Sequence, residues 1–117
     1  VNLPPLVLVH SIFLSLVGLR MVFTNSAKSS PMAGITMLAI GIAYLSTSYM
    51  PIAQNQFLHA SVPVRILLAL VAGLKMVVDK NITQSARNEM LLVFLYDGIG
   101  GLVCGWQLEN FSGKVPA

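Results

Sequence analysis

Apolar residues are grouped along the chain into four long runs, and short polar stretches separate these runs. No Asp, Glu, Lys or Arg occurs from Leu3 to Leu19, from Ser29 to Val64 or from Met90 to Tyr96. About 20 apolar residues in an α-helix cross the ~30 Å hydrocarbon layer of a bilayer, because each residue adds about 1.5 Å. The pattern therefore predicts an all-α integral membrane protein in which four transmembrane helices form an antiparallel bundle. The predicted helices cover about residues 6–24, 32–50, 63–78 and 89–108 of a single domain, residues 1–117.

Prolines mark two of the predicted helix ends. Pro51 is expected to end the second helix, and Pro63 is expected to begin the third, because proline is tolerated in the first turn of a helix. A polar connection, residues 52–62, lies between them. The third helix then has only about 16 residues, which is short for a membrane span.

The composition supports a membrane protein. Hydrophobic residues make up 56% of the chain and charged residues only 9%, against the usual charged share of about 25%. The net charge of +3 comes from a few residues near the helix ends. The lipid bilayer is therefore the expected partner, and no nucleic-acid partner is expected. The lone Cys104 excludes an internal disulfide and a cysteine metal cluster. No HExxH, CxxC or glycine-rich phosphate motif is present, so neither a metal nor a cofactor is predicted.

The distribution of basic residues predicts the topology. Five of them lie in or beside the first and third loops, residues 25–31 and 79–88: Arg20, Lys28, Lys75, Lys80 and Arg87. Only Arg65 and Lys114 lie on the other side. Because positive residues are retained in the cytoplasm, the sequence predicts a multi-pass protein with both loops cytoplasmic and both termini lumenal or extracellular.

Asp97 is the one acid inside an apolar run, close to the middle of the fourth predicted helix. A charged carboxylate at that depth costs at least about 2.5 kcal/mol, so Asp97 needs a partner, water or a ligand. Lys75 and Arg20 are the predicted counter-ions, because their side chains lean along their helices toward the membrane interior. Arg65 is expected to extend outward to the membrane surface instead. The simpler interpretation of Asp97 is a buried ion pair that only fixes how the helices align.

Other polar and small residues extend this candidate site. His10 shares a helix face with Ser11, Ser15 and Gly18, and Tyr96 adjoins Asp97. The candidate catalytic residues are therefore Asp97, His10 and Tyr96, and the candidate binding residues are Lys75, Arg20 and Arg65. The simpler interpretation of His10 is a histidine that hydrogen-bonds a neighbouring helix. Two sets of small residues are spaced as helix-packing faces: Gly34, Gly41 and Ser48, and Gly98, Gly101 and Gly105.

Three short features together resemble a known family. Gly18-Leu19-Arg20 ends the first helix, Val64-Arg65 opens the third, and Asp97 lies within the fourth. This combination is similar to a small four-helix membrane family of fungi and bacteria that is distantly DoxX-like. The chain lacks the acidic residue that the family pattern would place directly after Arg65. The resemblance implies the four-helix fold, and it implies that Arg20, Arg65 and Asp97 form the polar core.

Three functions are compatible with these features. The first is a polar site around Asp97 that binds a lipophilic small molecule and, in the stronger form of the hypothesis, isomerises or cyclises it by acid–base chemistry. The second is an accessory subunit of a larger membrane complex. The third is a small transporter or channel that forms by homo-oligomerisation. Whether the protein is an enzyme is left open by the sequence.

Overall fold

The computed structural model describes residues 2–24 and 30–116, and its regular structure is helical. Four α-helices follow one another along the chain: α1 (Pro5–Phe23), α2 (Pro31–Thr47), α3 (Gln56–Val78) and α4 (Gln84–Leu108). A single 3₁₀ turn, Ile52–Gln54, precedes α3. The all-α fold with four helices is therefore confirmed. Most of the predicted first loop, residues 25–29 with Lys28, lies outside the described residues.

Three of the helices are long and apolar enough to cross a membrane: α1, α3 and α4. The fourth, α2, is apolar but has only 17 residues, or about 26 Å at the usual helical rise. It ends at Thr47 and not near the predicted position 50. Proline disfavours helical backbone in the residue before it, so Pro51 affects the chain upstream of itself. The backbone N–H of Ser48 already bonds the carbonyl of Leu45 at 3.2 Å, which tightens the last turn.

Two asparagines satisfy the carbonyl groups at the end of α2. The backbone N–H of Asn2 donates to the carbonyl of Ser48 at 2.7 Å, and its side-chain amide donates to the carbonyl of Tyr49 at 3.2 Å. The side-chain amide of Asn55, which is fully buried, donates to the carbonyl of Thr47 at 3.1 Å. The last turn of a helix leaves its carbonyls without intrahelical partners, so these amides replace the missing bonds.

The third helix begins at Gln56, well before the predicted start at Pro63, and has 23 residues. The prediction of a short third span is therefore wrong. Leu58 and Val62 are fully buried, and their spacing of four residues continues an apolar helix face backward through Pro63. Gly113, at φ 81°, lies over the proline ring, where an added Cβ would come within 2.7 Å of Pro63 Cγ.

The fourth helix also begins earlier than predicted, at Gln84 and not near Glu89. Thr83 caps it, because its hydroxyl accepts a hydrogen bond from the backbone N–H of Ala86 at 3.1 Å. The end of α4 at Leu108 agrees with the prediction. The left-handed residue Glu109 follows, and its N–H returns to the carbonyl of Trp106 at 3.1 Å.

The helices form two compact units. The first extends to Phe57 and holds α1 and α2, and the second holds α3 from Leu58 onward together with α4. In the first unit, a Cβ added to Gly18 would lie 2.7 Å from the carbonyl oxygen of Gly34. A Cβ added to Gly41 would lie 2.9 Å from the carbonyl oxygen of Ser11. The predicted close approach of a neighbouring helix at Gly34 and Gly41 is therefore confirmed.

Glycines also bring α3 and α4 together in the second unit. A Cβ added to Gly101 would lie 3.3 Å from the carbonyl oxygen of Val62, and one added to Gly98 would lie 3.3 Å from Ala69 Cβ. At this contact the residue numbers increase along α3 as they decrease along α4. The predicted packing role of Gly98 and Gly101 is confirmed, whereas the third member of that set, Gly105, contacts the ring of Phe111 in the tail.

Candidate functional site

A salt bridge between Arg65 and Asp97 joins α3 and α4 inside the second unit. Arg65 Nε donates to Asp97 Oδ1 at 3.2 Å, and Arg65 Nη2 donates to the carbonyl oxygen of Tyr96 at 3.2 Å. The side chain of Arg65 is 8% exposed and that of Asp97 is 22% exposed. The two residues therefore form a nearly buried ion pair whose acid keeps some access from outside the helix pair.

The early start of α3 explains why Arg65 is the partner. Arg65 is not at the opening of a helix that begins at Pro63, but well inside one that begins at Gln56. It therefore lies opposite the middle of α4, where Asp97 is found. The predicted outward course of Arg65 is wrong for the same reason.

Gly100 has no side chain and so leaves room for the guanidinium of Arg65. It follows Asp97 by three residues, and positions three apart lie on one face of a helix. A Cβ added to Gly100 would lie 2.6 Å from Arg65 Cζ and 2.9 Å from Nη1. Any other residue at this position would overlap the guanidinium. The spacing Asp97-x-x-Gly100 is visible in the sequence, but its meaning depends on knowing which residue faces it.

Tyr96 belongs to the same site through two contacts. Its backbone carbonyl accepts the hydrogen bond from Arg65 Nη2, and its ring centroid lies 5.6 Å from Arg65 Cζ. A guanidinium at that distance from an aromatic ring is attracted by the negative face of the ring. Of the six predicted site residues, the structure thus brings three together: Arg65, Tyr96 and Asp97.

The ion pair uses only part of the hydrogen-bonding capacity of its two groups. Arginine and aspartate commonly pair through two parallel bonds, but here a single bond joins Nε and Oδ1. Neither Asp97 Oδ2 nor Arg65 Nη1 makes a hydrogen bond to any residue within 2–24 and 30–116. An acceptor and a donor of opposite charge are therefore available at one site.

The predicted counter-ions of Asp97 lie elsewhere. Lys75 Nζ pairs with Asp79 Oδ2 at 2.6 Å, with the two side chains 49% and 31% exposed. This hydrogen bond, together with one from the backbone N–H of Asn81, lowers the pKa of Asp79 below its usual value. Lys75 is therefore wrong as the partner of Asp97, because an acid one turn away on the chain is closer to it. Arg20 lies in the last turn of α1, in the first unit, and is exposed.

His10 lies in the first unit, buried against an aromatic pair. Its ring meets Tyr44 edge-on with centroids 5.5 Å apart, and Tyr44 meets Phe57 in the same way at 5.0 Å. Tyr44 is buried, and so is Ser11 next to His10, whose hydroxyl donates to the carbonyl of Leu8 at 2.8 Å. Sequence reasoning missed Tyr44, since an aromatic residue in an apolar run gives no sign of its neighbour.

Besides the ion pair, the second unit buries a histidine and the cysteine. His59 and Cys104 are both buried, and the hydroxyl of Ser61 donates to the carbonyl of Leu58 at 2.6 Å. Within the described part of the chain, no three His, Cys, Asp or Glu side chains are grouped as a metal site requires. The site chemistry that the structure places together is that of the Arg65–Asp97 pair.

Comparison of the chain with known protein families, with curated proteins and with solved structures finds no match. The similarity to the DoxX-like membrane family therefore stays a prediction.

Proposed function

We propose that this protein is an integral membrane bundle of four antiparallel helices, and that its Arg65–Asp97 pair binds the polar end of a lipophilic small molecule. The observation that carries the proposal is the single-bonded ion pair, with Asp97 Oδ2 and Arg65 Nη1 making no hydrogen bond to any described residue. Leaving such groups unpaired in an apolar environment costs free energy that a bound polar group recovers.

The charge and burial of the pair support this proposal. An acid inside an apolar helix of membrane-spanning length is costly, and such residues commonly mark substrate or ion pathways. If the pair served only to hold the helices together, a fully closed arrangement with two parallel bonds would serve best. Instead Asp97 keeps 22% of its side chain exposed. A ligand in contact with Asp97 would lie within the apolar surroundings of α3 and α4.

Acid–base conversion of the bound molecule, an isomerisation or a cyclisation, is the further step in this proposal. It requires a group that can accept and return a proton beside the reacting atom. Asp97 would fill that role through Oδ2, which makes no hydrogen bond to any described residue, while Arg65 would orient the substrate. The ring of Tyr96, whose centroid lies 5.6 Å from Arg65 Cζ, would border the same site.

The proposed orientation follows from the basic residues. Residues 25–31 and 79–88 would face the cytoplasm, and both termini would face a lumen or the outside. Ser85 and Ser112 are exposed in the structure and fall on opposite proposed sides. In a Cys104→Ala background, an impermeant thiol reagent on sealed cells should label Ser112→Cys and leave Ser85→Cys unmodified. The reverse pattern would overturn the orientation.

Native mass spectrometry of the detergent-purified protein tests the binding proposal. The wild type should carry a small lipophilic molecule, and the double variant Arg65→Met/Asp97→Asn, which removes both charges, should lose it. Lys75→Gln is the matched control, because it removes a charge from the same helix at an exposed ion pair, and it should keep the molecule. A bare chain mass for the wild type, or the same molecule on the double variant, would contradict the proposal.

A second function, an accessory subunit of a larger membrane complex, is favoured by one observation. Arg65 is almost entirely buried, as expected of an ion pair that fixes helix alignment. In that case the purified wild type would carry another protein chain and no small molecule, and the same mass measurement separates the two.

A further inference from the structure

The chemical class of the ligand is constrained by the balance of charge at the Arg65–Asp97 pair. The site holds one positive and one negative group in a single salt bridge. Both belong to the part of the chain where α3 and α4 are long and apolar enough to cross a membrane. In such surroundings an uncompensated charge costs far more than it does in water. A third charge brought by a ligand would leave the site with a net charge of one sign.

The groups that are free to bind differ in kind. Asp97 Oδ2 accepts hydrogen bonds, while Arg65 Nη1 donates them, and neither bonds any described residue. The two belong to one ion pair, whose Nε and Oδ1 atoms are 3.2 Å apart, and the proposal requires one headgroup to contact both. The headgroup therefore has to present an acceptor to Arg65 and a donor to Asp97.

We infer that the ligand, under the function proposed above, is a neutral amphiphile whose headgroup carries a hydrogen-bond donor beside an acceptor, such as a primary amide attached to an alkyl chain. An anionic headgroup would compete with Asp97 for Arg65 and leave one carboxylate or phosphate uncompensated. A cationic headgroup would do the converse to Arg65. A neutral headgroup that lacks a donor would leave Asp97 Oδ2 unpaired.

Four amphiphiles with the same chain length test this class by their effect on the melting temperature of the purified protein in a neutral detergent. Palmitamide is neutral with a donor and an acceptor, N,N-dimethylpalmitamide lacks the donor, hexadecyl phosphate is an anion, and hexadecylamine is a cation. A ligand that binds only the folded state raises its melting temperature. Palmitamide should raise the melting temperature of the wild type most. Its dimethyl form should bind at least about tenfold more weakly, because a hydrogen bond to a charged group is lost.

Two single variants should change this preference in opposite directions. Asp97→Asn leaves Arg65 as the unbalanced charge, so hexadecyl phosphate should become the best stabiliser. Arg65→Gln leaves Asp97 unbalanced, so hexadecylamine should take that place. The double variant Arg65→Met/Asp97→Asn has neither charge and therefore measures the nonspecific effect of each amphiphile. Lys75→Gln should rank the four amphiphiles as the wild type does. If either single variant does not fold, the wild-type comparison of palmitamide with its dimethyl form decides the question alone.

The failures are distinguishable. If hexadecyl phosphate or hexadecylamine stabilises the wild type more than palmitamide does, the site binds a ligand but the neutral class is wrong. Equal stabilisation of the wild type by palmitamide and its dimethyl form likewise overturns the class. If the four amphiphiles change the melting temperature of the wild type only as much as that of the double variant, both the ligand class and the proposed function are wrong.

Discussion

Two salt bridges on α3 show how position decides what an ion pair does. Arg65–Asp97 joins two helices and is nearly buried, whereas Lys75–Asp79 joins neighbouring turns at the end of α3 and is largely exposed. The exposed pair has the shorter distance, 2.6 Å against 3.2 Å. Yet surface pairs of this kind contribute little to stability, because water screens them and two flexible side chains must be ordered. The longer, buried pair is the one whose disruption leaves an isolated charge.

The largest effect is expected for Asp97→Asn. The change leaves the guanidinium of Arg65 buried without a counter-ion, and breaking a buried pair in this way costs about 3–5 kcal/mol. The double variant Arg65→Met/Asp97→Asn should recover most of the lost stability, since no charge is then left alone. Melting curves of the three purified proteins measure this. A single variant as stable as the wild type would show that water or lipid headgroups reach Arg65 freely.

Gly101→Leu should have the next largest effect. A Cβ on Gly101 would already lie 3.1 Å from Ile66 and 3.3 Å from the carbonyl oxygen of Val62. A leucine side chain must therefore push α3 and α4 apart, and overpacking of this kind costs about 1–3 kcal/mol. The matched control is Gly98→Ala, whose Cβ meets only Ala69 Cβ at 3.3 Å. Equal melting temperatures for Gly101→Leu and the wild type would mean that the two helices separate easily.

Gly100→Ala should act on the site more than on the fold. Its Cβ would displace the guanidinium of Arg65, which can swing away because it ends a flexible side chain. The expected cost is about 1–2 kcal/mol for the weakened pair, partly offset by the better helix propensity of alanine. Ligand carried through purification should fall while the protein stays folded, as measured by native mass spectrometry. Gly98→Ala again serves as the control and should keep its ligand.

The sequence predicted the helices better than it predicted the pairing. Long uncharged runs were sufficient to identify four helices, and the lone acid identified Asp97 as a residue in need of a partner. The start of α3 was missed because Asn55 and Gln56 are polar, while the burial of Asn55 depends on a carbonyl at the end of α2. Because the predicted helix began at Pro63 and not at Gln56, the prediction placed Arg65 near the end of α3, whereas it lies in the interior of the helix. Asp97 was consequently predicted to pair with Lys75 or Arg20.

The small-residue faces were predictable for a different reason. Close packing of membrane helices favours small residues at fixed spacings, whichever helix is the partner. The spacing alone therefore identified Gly34, Gly41, Gly98 and Gly101, all of which meet a neighbouring helix in the structure. Gly100 differs, because it accommodates one side chain, and only the position of Arg65 gives it that meaning.

The smallest effect is expected for Asp79→Asn, which removes the exposed pair. The hydrogen bond from Lys75 lowers the pKa of Asp79, so the carboxylate is favoured in the folded state over the unfolded one. Its contribution is therefore present above the pKa of the unfolded carboxyl, and it is lost as the pH falls through the lower, folded-state pKa. The wild type should melt slightly above Asp79→Asn at neutral pH, and the two should converge in acid, when melting is followed against pH in the same detergent. A gap as wide as that of Asp97→Asn would show that the end of α3 depends on Lys75–Asp79 and that burial does not set the ranking of the two pairs.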